Sequence, residues 1–130
     1  MEKKPLRIDE TYVALDDASG ARPLPVTPEF WNALMSGRLG EMSRMISFSA
    51  FDGAWTTWEK HPAGEEVVLL LEGEVELRLD EQGGTESRVR LDAPGSYVLV
   101  PRDTWHTARA VRPSRMLFVT PGRGTQHRPV

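Results

Sequence analysis

The chain has 130 residues, with 16 Lys plus Arg against 19 Asp plus Glu and a formal charge of −3. That is the size of one domain, and it lacks the broad basic surface that nucleic-acid binding needs. There is no cysteine, which excludes disulfides, thiolate ligands and a cysteine nucleophile. The longest apolar run, Val67 to Leu71, is far too short to cross a bilayer, and Met1-Glu-Lys-Lys-Pro-Leu-Arg7 lacks the apolar stretch of a signal peptide. A cytoplasmic protein with neither nucleic acid nor membrane as partner is the expectation.

Residues 1–25 carry Pro5, Pro23 and Pro25 and a turn at Asp16-Asp-Ala-Ser-Gly20, which predicts one short strand near Tyr12–Leu15 in otherwise irregular chain. Thr27-Pro28-Glu29 reads as a helix start, with Thr27 as N-cap and Pro28 in the first turn. Phe30, Trp31, Leu34 and Met35 recur at helical spacing and Gly37 is a stop, so a helix is expected over about 28–36, outside a sheet. From Ser43 the period changes to two. Short strands are predicted at 45–51, 55–61, 66–71, 74–79, 86–91, 97–100, 106–111 and 115–120. Between them lie Asp52-Gly53, Pro62-Ala-Gly64, Gly73, Gln82-Gly-Gly84, Pro94-Gly95, Pro101-Arg-Asp103 and Pro113. The pattern is all-β, an antiparallel sandwich or small barrel over 43–120, after an arm of 1–42 and before an extended tail of 121–130.

Chemistry concentrates in two stretches. The first has Gly53, then Glu59 and His61 two apart, Glu66 five further on, and Gly73 closing a strand; the second runs from Gly95 through Pro101 to His106. Both resemble the two motifs of the cupin superfamily. The first motif keeps its spacing throughout, with Glu59 where the family usually has a histidine. In the second, Gly95, Pro101 and His106 match, while Asp103 and Ala110 replace a glycine and an asparagine. The resemblance spans roughly 45–120. It implies a jelly-roll barrel, also called a double-stranded β-helix, with Glu59, His61, Glu66 and His106 as metal ligands.

The residues themselves agree with that reading. Glu59 and His61 share a strand face, Glu66 shares one with core residues Val68 and Leu70, and His106 sits beside the small Ala108 and Ala110. A carboxylate on a core row is costly unless neutralised or bound to a cation; without one, two interior carboxylates should repel until one takes a proton. Glu59 is either a fourth ligand or a carboxylate beside the ion. Two imidazoles and two carboxylates suit Fe, Mn, Zn or Ni in the divalent state, and ligand type does not separate these. Trp55 and Thr57 are expected in the pocket, with Trp58, Trp105 and Tyr97 as candidates for its mouth and Arg102 as a candidate anion contact. His127, in the tail, is expected in solvent. Two functions remain open. One is a metal-dependent oxygenase or isomerase/lyase acting on a small oxygenated molecule; the other is a non-catalytic module that binds or senses a small molecule. The apolar residues Leu6, Ile8, Tyr12, Val13 and Leu15 of the arm suggest a homodimer in which that face meets a partner.

Overall fold

In the computed structural model, which describes residues 1–81 and 84–130, a mixed arm passes into a continuous antiparallel sheet just after Ser43. The arm forms a hairpin, β1 (Thr11–Leu15) and β2 (Ala21–Pro25), followed by helix α1 (Phe30–Met35). Asp16 shapes the hairpin turn, its Oδ1 accepting from the N–H groups of Ala18 and Gly20 at 2.9 and 2.8 Å. Thr27 is not the helix cap. Its carbonyl accepts from the Phe30 N–H at 3.0 Å, closing a turn through Pro28, and α1 starts without a side-chain cap. So short a helix has little stability of its own and is held by packing. Phe30, 2% exposed, meets Tyr12 and Trp31 edge-on, with ring centroids 5.2 and 5.1 Å away.

Tyr12, Ala14, Leu24, Phe30, Met42 and Met45 bury one another in a satellite cluster. The Tyr12 face of β1 is therefore covered by its own chain, and β1 pairs with the same chain's β3 over Val13–Leu15. Of the five arm residues behind the homodimer expectation only Tyr12 is buried; Leu6 is 68% exposed and Ile8, Val13 and Leu15 are half-buried.

The barrel strands are β3 (Arg44–Phe51), β4 (Thr57–Lys60), β5 (Glu66–Glu81), β6 (Thr85–Leu91), β7 (Tyr97–Val100), β8 (Trp105–Pro121) and β9 (Gln126–Pro129). Where the sequence suggested four short strands there are two long ones. β5 runs through Gly73 and β8 through Pro113, because both residues make corners and not turns. Register between these strands slips at Leu70/Glu72, Glu72/Glu74 and Glu74/Val75, where the ladder bends. Gly73 has φ +99°, and a Cβ there would press on Ser114 Oγ and lie 2.5 Å from the Pro113 carbonyl oxygen. Only glycine fits that corner.

The corners divide the sheet into two layers. The first half of β5 pairs with β7 and with the last part of β8, which continues to β3 and β1. The second half of β5 pairs with β6 and the first part of β8, which meets β4 and then β9. Inward rows of both layers, including Val68, Leu70, Val75, Leu77, Ala108 and Met116, join in one core. The expected alternation of Glu74–Leu79 holds, with Val75, Leu77 and Leu79 all buried. Among the described residues β2, β6, β7 and β9 are edges, so this jelly roll is an open barrel. Of the turn expected at Gln82-Gly-Gly84, residues 82–83 lie outside the described residues, and Gly84 has φ +77°. No helix among the described residues is long and apolar enough to cross a membrane.

Candidate metal centre

Cross-strand register builds the centre. Glu59 on β4 stands directly opposite His106 on β8 and, on its other side, opposite His127 on β9. Directly opposed residues share a face, so the three side chains form a row across the second layer. His61 follows just past the end of β4. Its carbonyl accepts from the Asp103 N–H at 3.1 Å, which ties this segment to the turn before β8. Asp103 has φ 61°, a left-handed backbone that explains why a glycine or a short polar residue is wanted there. From the first layer comes Glu66, the opening residue of β5, whose Oε2 accepts from Thr120 Oγ1 at 2.6 Å.

The side chains converge closely. Glu66 Oε1 lies 3.0 Å from His106 Nε2, and Glu66 Oε2 lies 3.3 Å from His61 Nε2. Glu59 Oε2 is 3.8 Å from His61 Nε2. Ligand atoms of Glu59, His61 and His106 all fall within 4.8 Å of one another. His106 Nδ1 donates to the Thr104 carbonyl at 3.0 Å, which leaves the Nε2 lone pair for the centre. His61 Nδ1 lies 2.9 Å from Thr125 Oγ1, the same arrangement with a hydroxyl as partner.

Three buried atoms, His61 Nε2, Glu66 Oε1 and His106 Nε2, have no hydrogen-bond partner although they crowd together. Such atoms are rare in folded proteins, and three aimed at one point are what a cation would satisfy. The donor set, two imidazole nitrogens with carboxylate oxygens, therefore makes a possible metal site. Burial pushes the Glu66 carboxyl up, but the polar contacts and charge of His106 and His61 outweigh it and hold the pKa at about 2. His106 is opposed by its own burial, yet contact with Glu66 raises it above its ordinary value. The buried carboxylate thus stays ionised, facing the two imidazoles. The expected protonation of an interior carboxylate is not met at Glu66, and Glu59 is not interior, its side chain being 29% exposed.

A cavity of about 840 Å³ opens on Glu59, His61 and Glu66. Its wall includes Trp55 and Thr57, as expected, with Ser47, Ser49, Phe118 and Thr120. Helix α1 lies outside the barrel, but Trp31, Leu34 and Met35 reach this same cavity, so it sits at the mouth. Arg102 is exposed in the turn before β8 and is not part of the lining. Trp58 and Trp105 turn to the opposite face, where Arg128 lies 5.3 and 4.5 Å from their ring centroids; Tyr97 is exposed on β7. His127 is exposed, as expected, but its Nε2 is 3.4 Å from Glu59 Oε1 and it lines the cavity. No hydrophobic pattern in Gln126-His-Arg-Pro129 announces a strand, since all four residues are exposed. Only pairing with β4 makes β9 visible.

A family model described as the cupin domain matches residues 52–120, just over half of the chain. The protein belongs to the cupin family. Among solved structures it is similar to hydroquinone 1,2-dioxygenase from Sphingomonas sp. TTNP3 with 4-hydroxybenzoate bound, at 19% identity and a TM-score of 0.54, covering 63% of this chain and 61% of that one. It is similar to the Bacillus subtilis oxalate decarboxylase studied for its Mn(II) centres, at 15% identity and a TM-score of 0.57, covering 68% of this chain and 24% of that one. A third is a hydroquinone 1,2-dioxygenase in complex with Cd2+ and 4-hydroxybenzonitrile, at 17% identity and a TM-score of 0.54, covering 63% of this chain and 60% of that one. At these identities the likeness establishes the fold. No curated protein sequence matches the chain.

Proposed function

We propose that the protein binds one divalent transition-metal ion through His61, Glu66 and His106, with Glu59 as fourth ligand, and presents it to a small molecule in the cavity. The observation that carries this is the trio of unpartnered buried atoms, His61 Nε2, Glu66 Oε1 and His106 Nε2. When bound, the ion would polarise a substrate oxygen or activate dioxygen, the chemistry of an oxygenase or an isomerase/lyase.

The chain's own residues narrow the substrate class. Two carboxylates neutralise a divalent ion in full, and no Lys or Arg is among the residues that line the cavity. A small dianion would find nothing to offset its charge there. Trp55, Phe118 and the hydroxyls of Ser47, Ser49 and Thr57 instead suit an uncharged aromatic or phenolic molecule, stacked on carbon and oriented by hydroxyl groups. Phenolic ligands in two of the similar structures support this reading over the oxalate chemistry of the third.

The test is calorimetric melting with Mn(II), Fe(II), Zn(II) and Ni(II), with elemental analysis of the purified protein. At least one ion should raise the melting temperature of wild type and leave His106→Ala unchanged. Loaded protein should then bind a phenol more tightly than oxalate. No shift with any ion would end the metal reading.

A further inference from the structure

We propose that the C-terminal strand β9 and the residue just before it are part of the metal centre, with Thr125 and His127 as positioning residues for His61 and Glu59. The inference rests on the metal reading above and concerns residues outside the 52–120 match to the cupin domain.

Each of the four proposed ligands has one dedicated polar partner. His106 has the Thr104 carbonyl at 3.0 Å, and Glu66 has Thr120 Oγ1 at 2.6 Å; both partners lie within the family-matched segment. His61 has Thr125 Oγ1 at 2.9 Å, and Glu59 has His127 Nε2 at 3.4 Å, and these two come from beyond it. With the His61 Nδ1–H donated to the Thr125 hydroxyl, Nε2 is free to face the centre and the ring is kept from turning. His127 Nε2 stands beside Glu59 Oε1 at 3.4 Å, which leaves Oε2 on the side of His61, 3.8 Å from its Nε2.

The strand is placed for this task by contacts that do not involve the centre. β9 pairs with β4 over Thr57–Lys60, in the register that sets His127 against Glu59, and the Val130 N–H donates to the Thr56 carbonyl at 3.2 Å. Arg128 bonds Asp80 at 3.0 Å and lies over the Trp58 and Trp105 rings. Because alternate residues of a strand share a face, fixing Arg128 outward directs His127 inward. Position 59, where the family usually carries an imidazole, here has a carboxylate with an imidazole beside it, carried on a strand of its own.

The experiment uses the full chain and Co(II), whose visible absorption bands report coordination geometry, with affinity from calorimetric titration. Thr125→Val and His127→Leu should each weaken Co(II) binding about 10- to 100-fold and move the bands. Thr125→Ser and His127→Gln, which restore a hydroxyl and an N–H at the same reach, should recover affinity to within about threefold of wild type. If the apolar variants bind as wild type does, with the same bands, positioning by β9 is overturned while the metal reading stands. If wild type itself binds no Co(II), the metal reading falls and this proposal falls with it. Should Thr125→Val fail to fold, His127→Leu decides alone, because His127 is partly exposed and its removal leaves no buried gap.

Discussion

The two walls of the centre are built very differently. On one side, Glu66 and His106 sit on β5 and β8, strands of 16 and 17 residues that run through the whole core, and both side chains are sealed from solvent. On the other, Glu59 and His127 sit on β4 and β9, strands of four residues each, and remain 29% and 39% exposed. Buried register fixes the first pair, since slipping either long strand by one residue would turn the core outward. The second pair depends on a short ladder and a few surface contacts. The long strands should therefore govern whether the fold survives, and the short ones how the site is tuned.

Three measurements press on that contrast. His106→Ala, made in metal-free protein, should cost about 3–5 kcal/mol, because it strips the compensating partner from a buried carboxylate; urea unfolding reads this directly. A cost below about 1 kcal/mol would mean that the core wall does not rely on the pair.

The second is the pH profile of chelator-treated protein. Glu66 has its pKa held down to about 2, so its contribution is present above the unfolded value of about 4.3 and is lost as pH falls toward 2. His106 is raised, so its contribution is full below the unfolded value of about 6.5 and is lost as pH rises through the folded one. Stability in urea should thus be greatest between those limits and decline on both sides. Glu66→Gln should flatten both limbs; an unchanged profile would contradict the pairing.

The smallest effect is expected on the outer wall. Glu59→Gln should change metal-free stability by less than about 1 kcal/mol, being partly exposed. It should still weaken metal binding about tenfold or more, as seen by titration. Arg102→Ala, exposed and away from the cavity, should alter stability by no more than about 0.5 kcal/mol and leave binding alone.

What could be read in the sequence divides along the same line. Glu66 and His106 stand out because carboxylate and imidazole are anomalous on rows otherwise filled by Val68, Leu70, Ala108 and Ala110. Fixed glycines and prolines around them set the spacing by which cupins are recognised. The bends at Gly73 and Pro113 look like turns in sequence, since local chemistry is the same for a corner and a reversal; only the continuing ladder between β5 and β8 tells them apart. β2 and β9 carry almost no apolar pattern, with Leu24 the single buried residue of the two. Strands held by long-range pairing alone leave no local trace, which is why Thr125 and His127 could not be found by periodicity.

The stacking of Arg128 on Trp58 and Trp105 has a practical consequence. Two of the four indoles in the chain share one guanidinium carried by the last strand. Any event that lifts β9 strips a cation from both rings at once and admits water to Trp58, which is only 8% exposed. Intrinsic tryptophan emission is therefore a native optical signal for the docking of this strand, and it needs no added label.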